Sequence, residues 1–187
     1  MVKVTVADSD LVYAGHLSRV RIDRVRFPDG TESAREVVEH LDAVAVVPLH
    51  DDGTVTLLRQ YRHPVAGEVL EIPAGVCDVE DESPWATARR ELAEEVGLGA
   101  VGLTPLVTMA NSAGWTDELT TIYLATGLSQ KGAPEGFASE AEEAAMAVVR
   151  LGLGAAIAEV VASDRADAKT VAGLLLAERR SDSRPQP

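Results

Sequence analysis

The first forty residues alternate between apolar and polar positions. Over residues 17–26, Val20, Ile22 and Val25 are interleaved with Arg19, Arg21, Asp23 and Arg24, and a period of two marks a half-exposed strand. Phe27-Pro28-Asp29-Gly30 supplies a turn, with Pro at its second position and a Gly able to take positive φ, and residues 36–39 form the returning strand. Residues 1–40 are therefore expected to form a small antiparallel β appendage.

Beyond residue 40 the pattern becomes denser. Residues 43–49 are almost continuously apolar, Asp51-Asp52-Gly53 is a turn, and residues 55–60 form another strand, which together predict a buried hairpin. A loop with Arg62, His63 and Pro64 leads to a short strand at 69–72, which runs into Pro73-Ala74-Gly75. Then the period lengthens. Ser83 can accept a hydrogen bond from a free backbone amide, Pro84 suits the first helical position and Gly97 suits a left-handed stop, so a helix is expected at 84–96. Strands follow at 103–109, 119–124 and 146–151, then helices at 153–162 and 168–179. Residues 41–180 read as one domain, and the polar residues 181–187 as a frayed tail.

Composition refines this picture. A chain of 187 residues is long enough for one real core. With 46% hydrophobic but only 4% aromatic residues, that core must be aliphatic, which suits a mixed sheet flanked by helices. A net charge of -13 opposes general affinity for nucleic acid or anionic lipid. An anionic substrate would then require a metal or local arginines. The single cysteine, Cys77, forms no internal disulfide, the opening residues lack the pattern of a signal peptide, and no apolar run reaches the roughly 18 residues of a membrane span. A cytoplasmic location without membrane association is expected.

Successive helical residues turn by about 100°, so Trp85, Ala88, Leu92 and Val96 share one face of the 84–96 helix, while Glu91, Glu94 and Glu95 form an adjacent arc. Crowded carboxylates repel unless something positive lies among them. A solvated face with i,i+4 ion pairs is one outcome. A hard divalent cation such as Mg²⁺, which takes oxygen ligands from one or two carboxylates and from substrate phosphates, is the other.

Gly75, Glu82, Arg90-Glu91-Leu92, Glu94-Glu95 and Gly97-Leu98 resemble the Nudix box, G-x5-E-x7-R-E-U-x-E-E-x-G-U, where U is a bulky aliphatic residue. Every fixed residue type is present, but six residues rather than five separate Gly75 from Glu82. The extra residue falls in the loop before the helix, where insertion is tolerated. Gln60-Tyr61-Arg62-His63-Pro64, Glu71-Ile72-Pro73-Ala74-Gly75 and Gly114-Trp115-Thr116-Asp117-Glu118 extend the likeness towards the ADP-ribose pyrophosphatase branch. A downstream proline of that branch is replaced here by Ser112-Ala113-Gly114.

This resemblance implies an α/β fold, a Nudix-type α/β/α sandwich with a mixed sheet, and an N-terminal appendage that pairs across a homodimer. It implies hydrolysis of ADP-ribose to AMP and ribose 5-phosphate, or of another nucleoside diphosphate sugar or dinucleotide. A catalytically silent ligand-binding domain would be expected to have lost box carboxylates. Glu91 and Glu95 are implied as main ligands for Mg²⁺ (Mn²⁺ being possible), Glu94 as a further or supporting ligand, and the Ala74 carbonyl as another. Arg90 would orient the carboxylates and Glu82 anchor the loop. The general base lies on a late acidic loop in the resembling family. In Ser139-Glu140-Ala141-Glu142-Glu143 we select Glu142, with Glu140 and Glu143 as alternates. Arg62 and Arg59 are candidates to contact phosphate or stack on adenine, since a guanidinium does both, and Glu71 to assist metal or substrate. Trp115 either lines the pocket or is simply buried.

Overall fold

The computed structural model describes residues 3–132 and 146–182. It is a mixed α/β structure that divides into two compact units, residues 1–42 with 109–119, and residues 43–108 with 120–187.

The first unit holds the meander β1 (Thr5–Ala14), β2 (Ser18–Arg26) and β3 (Glu32–His40), antiparallel in that order. The turn between β2 and β3 closes with Gly30 N–H donating to Phe27 O at 3.0 Å, and Gly30 takes a φ of 84°. Asp23 is buried despite its charge, because Ser9 Oγ (2.6 Å) and Arg21 Nε (3.1 Å) donate to it. The segment 112–118 joins this unit through a bridge between Val38 and Thr116 and through Asp117, which accepts from His40 N–H at 3.1 Å.

The second unit is built on β4 (Ala43–Pro48), at the centre of a four-stranded sheet ordered β7-β4-β9-β8. Here β7 is Ala74–Val76, β8 is Leu98–Ala110 and β9 is Leu119–Gln130. Because β4 runs parallel to β9 and is covered on both faces, it needs the near-continuous apolar run seen in its sequence. Helix α1 (Pro84–Val96) packs its Ala88 and Leu92 against Val44, Val46, Tyr123 and Ala125. On the opposite face α3 (Ala168–Asp182) brings Gly173 against Val47 and Ile122, so closely that a Cβ there would lie 2.9 Å from Val47 Cγ2. The sheet is thus sandwiched between helices.

A second sheet, ordered β10-β5-β6, comprises β5 (Thr54–Arg62), β6 (Gly67–Glu71) and β10 (Ala147–Gly152), with α2 (Leu153–Ala162) following β10. This corrects the expected hairpin of residues 43–60. The Asp51-Asp52-Gly53 turn exists, but Leu49 and Val55 make only an isolated bridge, after which the chain passes into the other sheet. Parallel pairing to β9 takes the edge of β4 that a hairpin partner would have used. Residues 181 and 182, expected in the tail, instead belong to α3, which continues through Asp182. Among the described residues no helix is long and apolar enough to cross a membrane.

Candidate active site

Helix α1 has the limits its sequence dictates. Ser83 Oγ accepts from Ala86 N–H at 3.3 Å, Pro84 occupies the first turn, and Gly97 at φ 65° donates to Ala93 O at 3.0 Å. Trp85, expected on the packed face, is instead 46% exposed, with the Arg89 guanidinium 4.9 Å above its ring. Its place in the buried set is taken by Thr87 and Glu91.

Glu91 can be buried because Gly75 has no side chain. A Cβ on residue 75 would collide with the Glu91 carboxyl group, so the glycine of β7 and the glutamate of α1 occupy one space. Beside it, Ala74 N–H donates to Glu95 Oε2 at 2.8 Å. These two contacts lay the acidic arc of α1 against the backbone of β7.

Arg90 lies among the carboxylates. Its Nη1 donates to Glu91 Oε1 (2.7 Å) and Glu94 Oε2 (3.0 Å), and its Nε to Glu82 Oε2 (3.2 Å). Burial works against the Arg90 cation, but Glu91, Glu94 and Glu82 outweigh it and raise its pKa. The extra residue before Glu82 is absorbed in the loop 77–83, where Asp81 takes a φ of 63°, a conformation Asp tolerates better than most residues. Glu82 consequently still reaches Arg90.

Burial raises the Glu91 pKa to about 7, the charges of Glu94 and Asp78 adding to it and Arg90 opposing it. A carboxyl group under that pressure favours an added positive charge. Glu91, Glu94 and Glu95 are oxygen donors within one helical turn, which suits a hard divalent cation. Among the described residues, no three His, Cys, Asp or Glu groups already converge as an ion would require. Arg90 and the Ala74 amide hold the carboxylates instead.

A second cluster adjoins the first through the segment 71–74. Glu71 is 2% exposed, and its oxygens accept from Arg62 Nε (2.7 Å), Arg62 Nη2 (3.0 Å) and Lys169 Nζ (2.5 Å). Burial pushes the Glu71 pKa up, but the Arg62 hydrogen bond and the charges of Lys169 and Arg62 prevail and hold it below the usual carboxylate range. Arg62, Val69, Glu71, Arg165 and Lys169 line a cavity of about 430 Å³, within the size range of small-molecule sites.

The structure therefore brings Ala74, Glu82, Arg90, Glu91, Glu94 and Glu95 together, and Arg62 with Glu71. It does not bring Arg59 to them. Three positions from Arg62, Arg59 falls on the other face of β5 and pairs with Glu159 of α2 at 2.5 Å. Trp115 is not buried, being 58% exposed, and it lies in the first unit. Glu140, Glu142 and Glu143 lie outside the described residues. Lys169, Asp167 and Thr170 were not among the sequence candidates. One signal was available for them: Asp167 stands immediately before α3 and accepts from Thr170 N–H at 2.9 Å, the spacing of a helix cap.

Comparison with known proteins fits this geometry. An ADP-ribose pyrophosphatase of Mycobacterium tuberculosis (strain ATCC 25618 / H37Rv) is 44% identical over 134 residues, which cover 72% of this chain and 65% of that protein, a little under two thirds of its length. A methanol dehydrogenase activator of Bacillus methanolicus is 34% identical over 163 residues, covering 87% and 86%. The crystal structure of an ADP compounds hydrolase superposes with a TM-score of 0.81 at 26% identity, covering 97% of each chain. The NUDIX domain family matches residues 39–153, a span that contains the whole α1–β7 carboxylate cluster and the Arg62–Glu71 pair, and this chain belongs to that family.

Proposed function

We propose that this protein hydrolyses the diphosphate of ADP-ribose, giving AMP and ribose 5-phosphate. The observation that carries this reading is the continuity of the site. The acidic arc of α1 is bonded to Ala74, and three residues earlier the same segment carries Glu71, paired to Arg62 at the cavity. Three residues span at most about 11 Å, so one extended diphosphate ester can reach both clusters. The relative named ADP-ribose pyrophosphatase supports the choice of substrate.

Glu91, Glu95 and Glu94, with the Ala74 carbonyl, would hold Mg²⁺, with Mn²⁺ as a substitute. The cation, when bound, neutralises diphosphate oxygens and increases the acidity of the attacking water. Arg90 keeps Glu91 and Glu94 close together when their charges would drive them apart. Arg62 binds phosphate, and Glu71 fixes the edge of its guanidinium. Water adds its oxygen to one phosphorus as that phosphorus loses its bridging oxygen, and Glu142 takes the proton from the water.

The experiment is chromatographic product analysis of ADP-ribose and a panel of nucleotide sugars and dinucleotides incubated with protein and Mg²⁺, with a chelator control. AMP formed fastest from ADP-ribose, and only with metal, is the expected result. Faster consumption of another nucleotide would move the assignment to a second reading, a pyrophosphatase for other nucleoside diphosphate sugars or dinucleotides. Ser112-Ala113-Gly114, where that branch has a proline, favours this alternative. No turnover with any divalent metal would leave a ligand-binding domain.

A further inference from the structure

We propose that Lys169 is a positioning residue for Arg62, acting through Glu71, so that the first turn of α3 sets how the cavity receives the substrate phosphate. This inference rests on the function proposed above. Arg62 gives one edge of its guanidinium, Nε and Nη2, to the two oxygens of Glu71. Its Nη1 has no hydrogen-bond partner among the described residues, and the side chain is 40% exposed where it lines the cavity. The direction in which Nη1 points is therefore fixed by where Glu71 is held.

Glu71 is held from α3. Lys169 Nζ donates to Glu71 Oε2 and, at 2.9 Å, to Asp167 Oδ1. The other oxygen of Asp167 accepts from Thr170 N–H (2.9 Å) and Thr170 Oγ1 (2.5 Å). Thr170 Oγ1 in turn accepts from Ile72 N–H at 2.9 Å. Two consecutive residues, Glu71 and Ile72, are thus tied to one helical turn by a closed set of bonds. Without Lys169, the only side chain among the described residues that grips Glu71 would be Arg62, which is itself half-exposed, and the pair could swing together.

Charge points the same way. Arg62 and Lys169 balance Glu71 and Asp167, giving a neutral quartet in a chain of net charge -13. Arg165 also lines the cavity, so removal of Lys169 takes away the one positive charge by which the lining exceeds its two carboxylates, which weakens attraction for a diphosphate.

The test compares Lys169→Met, Lys169→Arg and the control Arg150→Gln, which removes an exposed pair with Asp52. Steady-state kinetics are measured on whichever nucleotide of the panel the wild type hydrolyses fastest, and ADP-ribose binding is measured by calorimetry in chelator. For Lys169→Met we expect KM and the ADP-ribose Kd to rise about tenfold with kcat changed by less than about threefold, the pattern of lost ground-state binding. Lys169→Arg should restore KM to within about threefold of wild type, and Arg150→Gln should match wild type. If Lys169→Met does not fold, Asp167→Asn, which keeps the cap to Thr170 and loosens Lys169, is expected to raise KM in the same direction. A lowered Tm with unchanged KM and Kd would assign Lys169 to stability alone and overturn the inference. A wild type that neither turns over nor binds any nucleotide would overturn the proposed function itself, a different result from a working wild type with an indifferent Lys169→Met.

Discussion

The Glu91 carboxyl group occupies the space that a side chain at Gly75 would need: a Cβ built on residue 75 would approach it well inside the 3.0 Å that real Cβ atoms keep. The two residues lie on different elements, β7 and α1, so even a methyl group at 75 must move the carboxylate or separate strand from helix. Gly75→Ala is expected to keep its far-ultraviolet circular dichroism and to lose about 10–100-fold in metal affinity or activity, as when a group orienting a ligand is disturbed. Full activity at low metal concentration would show that Glu91 does not need its place against β7.

The raised pKa of Glu91 makes metal binding pH-dependent. A carboxyl that titrates near 7 must lose its proton to bind a cation, so divalent affinity should climb from pH 5.5 to about 7 and then level off. Calorimetric titration in two buffers of different ionisation enthalpy should show a proton released below pH 7. The metal-free protein has the opposite dependence. Because the folded pKa exceeds the unfolded value of 4.5, this group's stabilisation is fully present below pH 4.5 and is lost as pH rises through about 7. Its span is on the order of 3 kcal/mol. Metal-free Glu91→Gln should lack that loss and melt above wild type at pH 8.

Arg90 is the only cation bonded to Glu82, Glu91 and Glu94 among the described residues. Arg90→Gln leaves these carboxylates facing one another, and a broken buried ion pair costs about 3 kcal/mol. The expected signature is a low Tm in chelator that Mg²⁺ raises by more than it raises wild type, since the cation then supplies the missing charge. Equal metal-induced shifts in both proteins would mean that arginine and cation do not share the carboxylates.

Much of this site was legible locally. The cap at Ser83, the proline after it and the left-handed Gly97 bound α1, and the box residues name the acidic arc. What local patterning could not convey is which neighbour an element meets. Residues 43–60 read as a hairpin because a turn separates two apolar runs, yet β4 pairs with β9, more than seventy positions away. Glu91 was assigned to the charged arc by helical angle, whereas the missing side chain of Gly75 draws it into the buried face. Lys169 lies 98 positions from Glu71, beyond the reach of any spacing rule.

Exposed Val6, Leu11, Val12 and Tyr13 along β1, the edge of a three-stranded sheet, are a strand edge that another chain can cover. A homodimer is expected by light scattering at micromolar concentration. Leu11→Asp with Tyr13→Asp should shift it to monomer, and a wild-type monomer would remove the dimer.

The proton of the attacking water needs an acceptor, and the α1 carboxylates are poorly placed to be it. Arg90 engages Glu91 and Glu94, and Glu95 accepts from Ala74; once a cation is bound, their negative charge is committed to it as well. The family resemblance implies a base on a late acidic loop, and the segment 139–143 carries Glu140, Glu142 and Glu143 within four positions. Glu142→Gln is expected to lower kcat by about 10²–10⁴-fold, the usual contribution of a general base. Metal affinity and substrate Kd should stay near wild type, because the group acts only as charge develops in the transition state. Each single variant is assayed across pH. The one whose loss removes the acidic limb of the kcat profile is the base, so a retained limb in Glu142→Gln together with its disappearance in Glu140→Gln or Glu143→Gln would transfer the role. If all three variants kept both kcat and the acidic limb, the late acidic segment would have no part in the chemistry.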